Sequence, residues 1–190
     1  LGHAEGICHV FVDDEAHPEK ALNVVVDAKT DYPAVCNAVE TLLLHQDHPV
    51  VSVQSILKTL HEAGVELRVC EETRVKFCGG LEIPVQSATT EDWITEYTDL
   101  ILAVKTVPGL KDAIQHINTC SSHHTDAIVT EHPEHAQEFL QQVDSAGVFW
   151  NASTRFADGF RYGFGAEVGV STCRTHARGP VGLEGLVIHK

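Results

Sequence analysis

The sequence contains no methionine and opens on Leu1. No apolar run approaches the ~18 residues of a membrane-spanning helix; the densest stretches are 100–104 and 148–150. No signal or transit segment, internal repeat or low-complexity linker is visible. The opening on a non-initiator residue leads to the expectation of a piece cut from a longer protein. Basic side chains are scarce, with 13 Lys+Arg against 27 Asp+Glu and a formal charge of −14. A chain this acidic lacks the positive footprint that phosphate backbones require, so nucleic acid is excluded as the main partner. No G-x-G-x-x-G and no P-loop occurs, so the usual dinucleotide and triphosphate cradles are missing. The six cysteines (Cys8, Cys36, Cys70, Cys78, Cys120, Cys173) form no C-x-x-C pair, which excludes zinc-finger and thioredoxin spacing.

What is present is one ordinary domain. The chain has 190 residues and is 43% hydrophobic, enough for a sizeable core. Unpaired thiols fit a reducing compartment, the cytoplasm or a mitochondrial matrix or inner-membrane face, where most act as small core residues. The 13 histidines are scattered. His132 and His135 stand three apart, and His123 and His124 are adjacent, but no third ligand accompanies either pair, so no metal site is expected. His45 and His48 flank a strand end.

Charge is distributed unevenly. Residues 1–150 carry a net −16 and residues 151–190 a net +2. Arg155, Arg161, Arg174 and Arg178 are four of the six arginines, and half of the 14 glycines fall between Gly159 and Gly185. An arginine-bearing, glycine-rich tail on an acidic body fits a local anion site; it fits equally a solvated loop region with structural arginines.

The hydrophobic pattern alternates strand and helix. Strands are predicted at 7–12, 39–44, 65–69, 100–107, 126–130 and 147–150. Helices are predicted at 18–30, opened by Pro18, at 50–63, closed by Gly64, and at 108–117 and 133–143. Residues 71–99 are the least regular stretch. The alternation predicts an α/β fold, a mostly parallel sheet with helices on both faces. In such folds chemistry gathers at the carboxyl ends of the strands. The loops 29–38 and 151–178 and the approach to Glu96 are expected there.

The peptide Asp31-Tyr32-Pro33-Ala34-Val35-Cys36-Asn37-Ala38 places a cysteine in a short loop between a helix and a strand. A thiol there can face a cleft, and its own N–H can point at a reacting carbonyl; both suit a nucleophile attacking an acyl group. On spacing alone, a structural cysteine is the commoner outcome.

This peptide resembles the active-site cysteine loop of the gamma-glutamyl phosphate reductases, members of the aldehyde dehydrogenase superfamily. The tail is the more specific match: Asn151-Ala152-Ser153-Thr154-Arg155-Phe156, then Gly165-Ala166-Glu167-Val168-Gly169, then His176-Ala177-Arg178-Gly179-Pro180. Gly6-Ile7-Cys8-His9 and Ser122-His123-His124-Thr125-Asp126 also match. The likeness is closest to the reductase half of the bifunctional eukaryotic delta-1-pyrroline-5-carboxylate synthases and runs over essentially all of 1–190. It implies a single catalytic domain of aldehyde dehydrogenase type, with the nucleotide-binding domain outside this chain.

The resemblance further implies an NADPH-dependent reduction of L-glutamyl 5-phosphate to L-glutamate 5-semialdehyde in proline biosynthesis. Cys36, partly thiolate, would attack the acyl phosphate and hold a thioester, its N–H stabilising the oxyanion. Asn37, Asn151, Ser153, Thr154, Arg155 and Arg178 are the implied substrate-binding residues, with Arg161 and His176 behind them. Glu96 would hold the nicotinamide ribose of an NADPH bound mainly by the other domain. The resemblance also implies a homo-oligomer, with 185–190 entering a sheet at the contact, and fusion to a glutamate 5-kinase domain. Three rival readings stand beside the reductase. One is an oxidative aldehyde dehydrogenase, but the glutamate that serves oxidising superfamily members as hydrolytic base aligns with Leu1. Its absence counts against that rival and suits an enzyme that must keep water from a thioester. The second is a cysteine hydrolase pairing Cys36 with His176, and the third a non-catalytic α/β interaction domain.

Overall fold

The computed structural model describes residues 5–174 and 178–187. Five β-strand–α-helix alternations follow one another, all but α3 and β4 on the predicted apolar runs: β1 (Cys8–Val12), α1 (Pro18–Thr30), β2 (Val39–His45), α2 (Val50–Glu62), β3 (Glu66–Val69), α3 (Glu71–Phe77), β4 (Gln86–Ser87), β5 (Ile101–Val107), α4 (Leu110–Cys120), β6 (Thr125–Val129), α5 (Pro133–Gln142) and β7 (Gly147–Trp150). Proline occupies the first turn of α1 and of α5, where its missing N–H has no partner to lose. Gly64, one residue past the cap of α2, adopts φ +87°, a conformation that admits glycine without strain.

All seven strands pair in parallel, in the order β4-β3-β5-β2-β1-β6-β7. The strands point alternate residues to opposite faces, and both faces are covered. Leu42 and Leu44 of β2 join Val10 and Val12 of β1 under α1 and α2; Leu43 and Phe11 face α4 and α5. A separate antiparallel pair, β8 (Glu167–Ser171) and β9 (Gly179–Gly182), follows. Among the described residues no helix is long and apolar enough to cross a membrane.

Three expectations require correction. The stretch 71–99 contains α3, which seven residues of mixed charge conceal from an apolar periodicity. Its start is capped by Cys70, whose sulfur accepts the Thr73 N–H, and Thr73 and Phe77 are its buried residues. The tail is not a strand at 185–187: Leu183–Leu186 form a 3-10 turn, and residues 188–190 lie outside the described residues. The third correction concerns the edge of the sheet. The loop 31–38 leads into the first residue of β2, so Cys36 stands at the amino ends of the strands, opposite the edge at which α/β ligand loops usually gather.

Candidate active site

Cys36 is half-buried in the turn that joins the end of α1 to β2. Its backbone is wedged against Gly6, just before β1. A Cβ at Gly6 would stand 2.1 Å from the Cys36 carbonyl oxygen, so only glycine permits this approach. The same carbonyl accepts the thiol of Cys8 at 3.3 Å, fixing the loop to the first residue of β1. Tyr32, where the loop leaves α1, and Thr98, in the segment before β5, both adopt left-handed backbone (φ 65° and 53°). For a β-branched residue such as Thr98 that is costly, and such strain gathers where surrounding structure over-determines a site.

Arg155 and the Ala157 carbonyl, from the far end of the chain, lock the loop through Asp31 and Asn37. After β7 the polypeptide turns back from the carboxyl to the amino edge, alongside α1, and delivers Arg155 to the loop. Arg155 Nε donates to the Asp31 carbonyl at 2.5 Å and Nη1 donates to Asn37 Oδ1. Asn37 Nδ2 donates in turn to the Ala157 carbonyl at 2.9 Å. Asn37 is 5% exposed, and its amide is engaged at both oxygen and nitrogen, so it braces the thiol loop.

Burial pushes the Cys36 thiol up, and the carboxylates of Glu167 and Glu96 push it further; its own N–H and Arg155 pull it down but do not prevail. Two negative charges and a half-dry site work against the expected partial thiolate, since each disfavours a further anion. None of these neighbours is a histidine, and His176 lies outside the described residues. Glu167 of β8 belongs to the quoted tail peptide, but the sequence gives it no role. Removing its charge should free the thiol: Glu167→Gln is expected to speed iodoacetamide labelling of Cys36 at pH 8 by about two- to fivefold, read by peptide mass spectrometry. Unchanged labelling would show that Glu167 does not act on Cys36.

The remaining candidates separate. Glu96 stands on the Cys36 side at the amino edge, half-buried, and makes no hydrogen bond or ion pair among the described residues. Asn151 lies at the opposite edge, where its amide exchanges two 3.0 Å hydrogen bonds with the Thr130 backbone. Ser153 is buried and caps a 3-10 turn (Thr154–Phe156) by accepting the Arg155 N–H; Thr154 is 0% exposed. Arg178 and Arg174 both clamp Asp144 at 2.7 and 2.6 Å. Arg161 reaches Asp31 at 3.4 Å and lies over the Phe156 ring. The tail arginines thus find carboxylates within the chain. The peptide 122–126 is likewise a brace, since Asp126 accepts the His9 N–H, His9 Nδ1, Ser121 and Ser145.

Asp13, Asp14 and His45 bring donor atoms within 4.8 Å of one another, but at the carboxyl edge, and His45 Nδ1 already accepts the Asp47 N–H. Sequence reasoning also passes over a buried ion pair beside the thiol loop. Lys29 Nζ meets Glu40 Oε2 at 2.7 Å, with side-chain exposures of 0% and 1%. Burial lifts the Glu40 carboxyl to about 7 against the pull of Lys29, and depresses the Lys29 ammonium. A signal for the pair does exist: a glutamate in the middle of an otherwise buried strand needs a partner.

No family model matches the chain. Among curated proteins it is 56% identical over 190 residues to the gamma-glutamyl phosphate reductase of Pelotomaculum thermopropionicum, covering 100% of this chain and 42% of that protein. Among solved structures it matches the gamma-glutamyl phosphate reductase of Thermotoga maritima with a TM-score of 0.93 and 46% identity, over 100% of this chain and 45% of that one. An acetylating aldehyde dehydrogenase from Geobacillus thermoglucosidasius shares the fold, with a TM-score of 0.62 at 19% identity over 82% of this chain and 42% of that one. The chain is similar along its whole length to gamma-glutamyl phosphate reductases, has the aldehyde dehydrogenase-like fold, and spans about 42% of the length of the curated relatives it matches.

Proposed function

We propose that this chain is the thiol-bearing catalytic domain of a reductase that converts L-glutamyl 5-phosphate to L-glutamate 5-semialdehyde with NADPH, as a step of proline biosynthesis. The observation that carries the reading is the half-open Cys36, braced from Gly6, Cys8, Asn37 and Arg155, in a chain related to these reductases along its whole length. In the proposed reaction the Cys36 thiolate forms a bond to the C5 carbonyl carbon, and phosphate leaves with the electrons of its C–O bond. A thioester remains on the sulfur. The Cys36 N–H takes the oxyanion, and Arg155 Nη2, uncommitted among the described residues, faces an anionic group of the substrate. When bound, the nicotinamide cofactor supplies the hydride that turns the thioester into a hemithioacetal. That adduct expels the thiolate and releases the aldehyde.

Glu96 fits the cofactor. A half-buried carboxylate with no partner of its own among the described residues can accept both hydroxyls of a ribose, and its influence on the Cys36 thiol supports a role beside the reacting carbon. The bulk of the nucleotide would be held by the part of the relatives' length that this chain does not span, so the chain alone is expected to be inactive. The exposed Phe160, Phe164, Leu183 and Val187 of the tail supply apolar surface for a homo-oligomer. Fusion to a glutamate 5-kinase domain, and placement in cytoplasm or mitochondrion, rest on the resemblance and on the thiols that remain free.

The direct test is to trap the acyl enzyme. The full-length polypeptide containing this chain, mixed with L-glutamyl 5-phosphate and no cofactor, should release phosphate once and show a glutamyl adduct on the Cys36 peptide by mass spectrometry. An adduct on another cysteine, or none, would overturn the reading.

A further inference from the structure

The buried pair Lys29–Glu40 takes no part in the chemistry above, yet it occupies a distinctive place. Lys29 lies in the last turn of α1 and Glu40 is the second residue of β2, so the two side chains meet across the neck of the loop that carries Cys36. A third segment converges on them. The ammonium of Lys29 lies 5.9 Å from the Tyr97 ring centre, the Thr98 amide supports the Glu40 carboxylate, and Asp99 acts on Lys29. Tyr97 is itself anchored, its hydroxyl donating to Asp92 at 2.6 Å while Arg68 holds the same carboxylate at 2.9 Å. Cys8, which fixes the Cys36 carbonyl, also senses both Glu40 and Cys36.

A pair at this depth adds little net stability over well-packed apolar residues, because desolvation offsets the attraction. What it supplies is direction. A salt bridge holds its two stems in one geometry where aliphatic chains would slide. Here it ties three segments: the exit of α1, the entry of β2, and the 96–99 turn that carries both Glu96 and the strained Thr98.

We propose that Lys29 and Glu40 are positioning residues for the reductase site, closing the neck of the Cys36 loop and setting it in register with the Glu96 segment. The proposal rests on the reading of Cys36 as nucleophile and Glu96 as cofactor ligand. Small errors in such a register weigh heavily, since a displacement of about 1 Å can lower a rate by roughly a hundredfold.

The decisive variant is the double substitution Lys29→Met with Glu40→Leu in the full-length protein, which removes both charges together and leaves only the N–H of the exposed Thr98 to find water instead. It should melt within a few degrees of the parent. Its kcat should fall about tenfold or more, with KM changed by less than about twofold, and amide exchange should quicken in 31–38 and 96–99. Parental kcat in this variant would overturn the proposal. Should the double variant not fold, Glu40→Gln, which keeps shape and hydrogen bonding, is read by the same kcat-against-KM split. A parallel Cys36→Ser protein separates the two levels. If it is dead while the double variant is fully active, positioning alone is wrong; if it turns over, the nucleophile assignment fails and the positioning proposal fails with it.

Discussion

On the proposed reaction, Cys36→Ser in the full-length protein containing this chain is expected to lower kcat by at least about a thousandfold, equivalent to roughly 4 kcal/mol of barrier, while leaving the melting temperature nearly unchanged. The reason is chemical. A serine hydroxyl in a half-dry site facing Glu167 and Glu96 ionises far less readily than a thiol, and an oxygen ester resists hydride where a thioester accepts it. The fold should not notice, because the contacts that hold the loop run through backbone atoms and Asn37. The same electrostatics set the pH dependence. The thiol is raised above its ordinary value and the thiolate is the reacting form, so kcat/KM should climb with pH and go on climbing beyond the usual cysteine range. Steady-state assays of the phosphate-dependent reverse oxidation would show both effects. Substantial turnover by the serine enzyme would remove Cys36 from the mechanism.

Gly6→Ala should be nearly as severe for an entirely different reason. The added methyl would lie 2.1 Å from the Cys36 carbonyl oxygen and 2.5 Å from its Cα. Both are backbone atoms, so no rotamer change relieves the overlap; either the entry to β1 or the cysteine loop must move. Overpacking of this kind costs about 1–3 kcal/mol and sometimes more, and the displacement falls on the Cys36 loop. We expect at least a hundredfold loss of kcat, of the order that misplacement by about 1 Å produces, with a lower melting temperature. Alanine at the exposed Gly79, which meets no atom within 4 Å and needs no left-handed backbone, is the control for a general effect of replacing glycine. Parental activity in Gly6→Ala would show that the loop does not depend on this contact.

The layered architecture is legible in the sequence because its signals are local. Pro18 and Pro133 open helices, Gly64 closes one, and apolar runs such as 39–44 read as buried strands. The α3 helix is hidden because its seven residues EETRVKF bury only Thr73 and Phe77, too few for a periodicity. The site is partly legible. Cys36 and Glu96 do share an edge, but the arginines read as a free positive cluster, and only coordinates reveal that Asp31 and Asp144, more than a hundred and about thirty residues away in sequence, already engage them. Charge counts along a chain do not record who meets whom. Lys29 and Glu40 show the converse: each looks ordinary in its own element, and only the incompatibility of a carboxylate with the surroundings of β2 points to a partner.

The return of the chain after β7 has a consequence in time. The groups that brace Cys36 through Arg155 and Asn37 are separated from it by roughly 120 residues. A ribosome that has released the thiol loop must add β2 through β7 before those braces exist, and closing so long an interval is slow relative to local folding. The brace on the Cys36 loop thus forms only after the strands of the parallel sheet have been made.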